Sequence, residues 1–146
     1  MKTSKHYKQG IYKPLNPKKW KGDVNNIIYR SGLELKYFSY CDRNPNVLEI
    51  ASEEFFIPYK GLDGKTHRYF VDLWVKVKDI EGKIKEFIIE IKPYSQTIKP
   101  AAPKRITKNY KEALRTYFVN ELKWEAARKF AEKNNAKFVI LTEKHI

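Results

Sequence analysis

The sequence predicts an α/β fold in which two helical segments bracket three β-like segments and a fourth strand follows the second helix. Three observations carry this reading. Apolar residues recur at helical spacing over 27–40 and 107–134, and β-branched and aromatic runs separated by Gly and Asp turns fill the space between. The run Phe138-Val139-Ile140-Leu141 then reads as a buried strand. A chain of 146 residues, 42% of them hydrophobic, has room for one domain that buries roughly two-thirds of its unfolded surface.

Residues 1–21 hold seven lysines, Lys2, Lys5, Lys8, Lys13, Lys18, Lys19 and Lys21, no acid, and Pro14 and Pro17. This composition predicts an irregular basic arm over residues 1–22, ahead of a single domain spanning 23–146. In the segment 27–40, Ile27, Ile28, Leu33, Tyr37 and Phe38 suit a helix with a break at Ser31-Gly32, ended by the turn cluster 42–46. The first β segment, 47–59, bends at Ala51-Ser52. Gly61-Leu62-Asp63-Gly64 turns it into a hairpin with 67–77. A turn over 79–83 leads to 85–92, whose Phe87, Ile88, Ile89 and Ile91 suit a central strand stopped by Pro93. In 107–134 the apolar steps predict one kinked helix or two short ones, ended by Asn134-Asn135. The strand 137–142 is expected to lie fully buried beside its neighbours.

The charge balance narrows the partners. Thirty Lys and Arg against 17 Asp and Glu leave +13, which points to a polyanion, nucleic acid ahead of an anionic membrane surface. No apolar run nears the length of about 18 residues that a spanning helix needs, and no membrane anchor is expected. Cys41 is the single cysteine, so an internal disulfide is excluded and a reducing compartment is expected. No Cys/His set has zinc spacing and no Gly-rich loop suits a nucleotide phosphate. Trp20, Trp74 and Trp124 read as packing residues.

Chemistry concentrates on two strands. Alternation puts Val71, Leu73, Val75 and Val77 on one face of 67–77 and Asp72, Trp74 and Lys76 on the other. Asp72 is the one aspartate of five inside an apolar strand. Glu90 and Lys92 stand two residues, about 6.6 Å, apart on one face of the next strand, opposite Ile89 and Ile91. Glu-x-Lys occurs four times, starting at Glu34, Glu81, Glu90 and Glu121, and only the third ends a buried-type strand. Two carboxylates and an ammonium on adjacent strands suit phosphodiester hydrolysis, since hard Mg²⁺ takes oxygen ligands and acidifies water. The bland alternative is a cross-strand salt bridge on a solvated face. By spacing alone Glu34 reads as a helical partner of Arg30, one turn back.

The αβββαβ order with Glu34, Asp72 and Glu90-Ile91-Lys92 resembles the PD-(D/E)XK nuclease superfamily, although Val71 stands where the eponymous proline would be. That resemblance implies a restriction-endonuclease-like core with a central mixed sheet flanked by helices. It also implies a hydrolase with catalytic Asp72, Glu90, Lys92 and Glu34, and Mg²⁺, with Mn²⁺ as substitute, held at Asp72, Glu90, Ile91 and Glu34. Arg30-Ser31-Gly32-Leu33-Glu34, Arg68-Tyr69-Phe70-Val71-Asp72, Glu90-Ile91-Lys92-Pro93, Gln96-Thr97 and Lys123-Trp124-Glu125-Ala126-Ala127 resemble TnsA-like transposon-end nucleases and, more so, the head completion nucleases of T-even-like tailed phages. The implied role is DNA processing in host cytoplasm during phage assembly, or in the virion head or neck, with portal or head-neck proteins as partners and a homo-oligomer as one state. A non-catalytic DNA-binding head-and-neck protein and a transposon-end or RNA-processing nuclease stay open. Expected DNA contacts are the seven leader lysines with Arg30, His67, Arg68 and Gln96.

Overall fold

The computed structural model describes residues 9–146 of the chain. The core is a four-stranded sheet in the order β3-β6-β7-β8, built from β3 (Val47–Ala51), β6 (Leu73–Lys78), β7 (Ile84–Ile91) and β8 (Lys137–Leu141). β6 runs antiparallel to both of its neighbours, β3 and β7, and β8 lies parallel to β7, which makes the sheet mixed. A parallel neighbour needs a crossover, and α2 (Lys108–Lys133) supplies it. It is a single helix, capped at its start by Thr107 Oγ1 accepting from the Tyr110 N–H.

Each sheet face has its own core. Leu73, Val75, Ile89 and Ile91 pack with α1 (Gly32–Arg43) through Tyr37 and Phe38. On the opposite face Val71, Ile88 and Tyr69 pack with Trp124, Ala127 and Ala131 of α2. Each fully buried Leu, Ile or aromatic side chain here contributes about 1.5–3 kcal/mol.

Several boundaries differ from the sequence reading for identifiable reasons. The segment 47–59 is two strands in two sheets: β3, and β4 (Phe56–Lys60), which pairs with β5 (Thr66–Phe70) as a separate hairpin. At the bend between them Glu53 takes a left-handed φ of 54°, held by Arg30, whose Nε and Nη2 donate to its carboxylate at 3.0 and 2.9 Å. The segment 67–77 also breaks, at Val71-Asp72, so Val71 falls in the α2 core instead of sharing a face with Leu73 and Val75. The first helix begins at Gly32, not near Ile27. Ser31 is its N-cap, accepting from the Glu34 N–H at 3.1 Å, while β2 (Ile28–Tyr29) pairs with β1 (Gly10–Ile11). β8 is an edge strand and only half-buried.

The leader needs the largest correction. Lys2, Lys5 and Lys8 lie outside the described residues. Residues 9–21 are mostly irregular in backbone, yet Tyr12 and Trp20 are buried against Phe38. Asp42, fully buried at the end of α1, accepts from the Tyr12 hydroxyl at 2.6 Å and from the Leu15 and Asn16 N–H groups at 2.7 and 3.1 Å. Lys19 Nζ donates to the carbonyls of Cys41, Asp42 and Asn44. An ammonium among the orphan carbonyls of a helix C-terminus is favoured by both hydrogen bonding and the helix dipole. This part of the leader is a structural clamp.

Candidate active site

The site forms where β6 begins and β7 ends. Continuing the β6–β7 register past Leu73↔Ile89 sets Asp72 opposite Glu90. Asp72 is outside the strand proper, and its Oδ2 accepts the Ile91 N–H at 2.7 Å, replacing the ladder carbonyl that a continued strand would offer. That bond fixes the carboxylate beside β7. Glu90 is buried on the α2 side of the sheet, where Tyr69 Oη donates to its Oε1 at 2.5 Å. Lys92 Nζ stands 3.5 Å from Glu90 Oε2, and the Lys92 N–H donates to Leu141 O, which anchors its backbone to β8. Glu34 is also buried, with Oε1 accepting the Arg30 N–H at 2.9 Å.

The electrostatics show that these groups feel one another. Burial, then the negative charges of Glu90 and Glu34, push the Asp72 carboxyl well above the usual carboxylate range, against the pull of the Ile91 N–H and Lys92. Glu34 is raised first by burial and then, against the Arg30 N–H, by Glu53 and Glu90. Tyr69 is pushed far up by burial and by Glu90, so its hydroxyl stays a proton donor. Bringing several carboxylates into a half-buried site raises their free energy unless a cation or protons offset it.

Arg30 spends its guanidinium on Glu53, not on the Glu34 side chain. His67 pairs with Asp63 at 3.0 Å on the exposed hairpin, and Arg68 lies over the Phe56 ring, 5.0 Å from its centroid. Gln96 sits on the short turn Tyr94–Thr97, facing α2 across a cleft of about 220 Å³ that Asn120 also lines. Lys13 and Lys18 are exposed, whereas Lys21 lies 3.5 Å from Glu49. Lys19 is turned into the α1 terminus and leaves the set of DNA contacts. Trp20 and Trp124 are buried, and Trp74 donates its indole N–H to Glu86 at 2.9 Å.

Two neighbours of the site escaped the sequence reading. Tyr69 was visible only as one residue of a motif, with no signal that it reaches Glu90 across 21 positions. Lys123 of α2 brings its Nζ to 5.7 Å from the Tyr69 ring centroid.

A mixed sheet between two helices, with Asp72 opposite Glu90 and Lys92 beside it, defines a restriction-endonuclease-like fold. The chain belongs to the TnsA-like endonuclease N-terminal family, whose model matches residues 44–143. It is also similar to the head completion nuclease of Enterobacteria phage T4, 42% identical over 139 residues that cover 92% of this chain and 90% of that protein.

Proposed function

We propose that this chain is a divalent-metal-dependent DNA endonuclease that hydrolyses phosphodiester bonds during completion of phage heads. The observation that carries the reading is Asp72 held opposite Glu90 with the Lys92 ammonium 3.5 Å from the Glu90 carboxylate. Likeness to a head completion nuclease supplies the biological setting, and the net charge of +13 suits a DNA substrate.

The donor set fits a hard divalent ion. Among the described residues no group of three or more His, Cys, Asp or Glu side chains is placed to hold a metal ion together, so Glu34 does not join Asp72 and Glu90 in one such set. Mg²⁺ is usually held by only one or two carboxylates with waters completing its shell, and Asp72 and Glu90 supply that pair. Ile91 can add only its backbone, and Glu34 adds charge nearby. When bound, Mg²⁺ supplies neutralisation of the scissile phosphate and a more acidic water.

The chain's own residues do the rest. The Ile91 N–H holds Asp72 in place, and the Tyr69 hydroxyl holds one oxygen of Glu90 so that the other faces Lys92. Lys92 Nζ, 3.5 Å from Glu90 Oε2, stands where it can orient water or offset the charge that builds on the phosphate oxygens.

The deciding experiment is cleavage of linear, circular and branched DNA with and without Mg²⁺ or Mn²⁺, with wild type beside Asp72→Ala and Lys92→Ala. Cleavage by the wild type alone, dependent on the ion, supports the proposal. Equal cleavage by all three, with contaminating nuclease excluded, sinks it.

A further inference from the structure

Between the site and the middle of α2 the chain carries positive charge that the proposed mechanism does not use. From position 93 to 120 there are six cations, Lys99, Lys104, Arg105, Lys108, Lys111 and Arg115, against one acid, Glu112. All six are exposed, and none forms an ion pair among the described residues. The first turn of α2 has no acidic residue, although acids there would be favoured by the helix dipole. Local stability therefore does not account for this charge pattern.

Its placement relates it to the site at both ends. The segment leaves the site directly after Lys92 and returns along α2 to Lys123, which lies against Tyr69, the donor to Glu90. At about 100° per residue, Lys108, Lys111, Arg115 and Lys123 fall within about 120° of arc on α2. Asn120, Trp124, Ala127 and Ala131 mark the buried side of the helix. Lys99 lies over the Phe118 ring, 5.6 Å from its centroid, and so borders the same stripe. From Lys108 to Lys123 the helix spans about 22 Å, as long as about six base pairs of duplex, with Lys108, Lys111 and Arg115 clustered along its first half and Lys123 at the end nearest the site.

We infer that this row, on α2 and the loop before it, docks the phosphate backbone of double-stranded DNA flanking the cut, and that the basic leader is not the main DNA contact. Cations set along one face of a rigid helix suit the regularly spaced phosphates of a duplex, and Glu112, which falls inside the same arc, is the one acid among them. The proposal rests on the nuclease reading above and names the surface that delivers substrate to that site.

The test uses the full chain and a 20-base-pair duplex in chelator, so that binding is read without cleavage. Fluorescence anisotropy across a salt series compares wild type with Lys108→Gln/Lys111→Gln/Arg115→Gln. A control triple, Lys78→Gln/Lys83→Gln/Lys133→Gln, removes the same charge at other exposed positions. Each lost phosphate contact removes about 0.9 from the slope of log affinity against log salt, so the first triple is expected to flatten it by about 2.7 and the control by much less. Glu112→Gln should tighten binding. Equal flattening by both triples means that net charge acts without a docking row, and an unchanged slope in the first triple places the duplex elsewhere; either result overturns the inference. If the wild type shows the expected slopes yet cuts nothing with any divalent ion, the proposed activity fails while the docking surface stands.

Discussion

The Tyr69 hydroxyl donates a 2.5 Å hydrogen bond to Glu90 Oε1 inside the core that α2 forms against the sheet, joining the hairpin β4–β5 to the site on β7. Tyr69→Phe keeps the ring and its packing but leaves one oxygen of a buried carboxylate without its donor. Loss of such an orienting partner generally costs 10–100-fold in metal affinity or activity. We expect a fall of about that size in turnover with an unshifted KM for DNA and an unchanged fold by circular dichroism. Wild-type turnover in Tyr69→Phe would show that Glu90 needs no such support.

Asp72 gives a prediction on stability and its sign with pH. Its folded-state carboxyl is raised by burial and by Glu90 and Glu34, so between the ordinary carboxylate range and that raised value the folded chain holds more proton than the unfolded one. The associated stability is complete below the unfolded pKa and is lost as pH rises through the folded one. Asp72→Asn removes the neutral-pH penalty while keeping an acceptor for the Ile91 N–H. It should raise the melting temperature in chelator at pH 7 by about 3–5 °C, a gain that shrinks toward pH 4, and should abolish cleavage. A variant that melts lower at pH 7 than wild type would falsify the account of strain in the site.

Asp42 has the opposite sign. Its burial alone would raise the carboxyl, but hydrogen bonds from the Tyr12 hydroxyl and the Leu15 and Asn16 N–H groups outweigh burial and lower it. Its contribution is present above the unfolded carboxylate pKa of about 3.9 and lost as pH falls through the lower folded value. Asp42→Ala should cost about 2–4 kcal/mol at pH 7 by denaturant titration, with a smaller cost below pH 3. An equal cost at both pH values would assign the loss to packing.

The leader can be divided experimentally at the point where the clamp begins. Trp20→Ala, at a side chain 4% exposed, should destabilise the protein by about 3–5 kcal/mol, and deletion of residues 1–21 should unfold it. Deletion of residues 1–8 alone removes Lys2, Lys5 and Lys8 and should leave the melting temperature within a few degrees of wild type while flattening the salt slope only modestly. A stable, monodisperse protein lacking residues 1–21 would show that Tyr12 and Trp20 are dispensable to the core.

The sequence by itself determined the order of the main helical and β segments from the first helix onward and the placement of Glu90 and Lys92 on the face opposite Ile89 and Ile91. These follow from periodicity within one strand or helix, which neighbouring residues settle among themselves. Alternation along 67–77 also singled out Asp72, and the resemblance added Glu34 as their companion. Only the tertiary structure decided that the chain breaks at Val71-Asp72, which frees the Asp72 carboxylate to take the Ile91 N–H 19 positions away. The same holds for the division of 47–59 between two sheets and for Tyr69 beneath Glu90. It also turned the first lysine-rich stretch from a pure arm into a clamp, because Asp42 accepts the Tyr12 hydroxyl across 30 positions and Lys19 closes the end of α1. The Asp72, Tyr69 and Asp42 bonds each join a polar group on one segment to a partner on a distant one, as most buried polar groups require, although the Trp20 and Trp124 indole N–H groups are buried without one. Alternation along a strand carries no information about which distant segment will supply it.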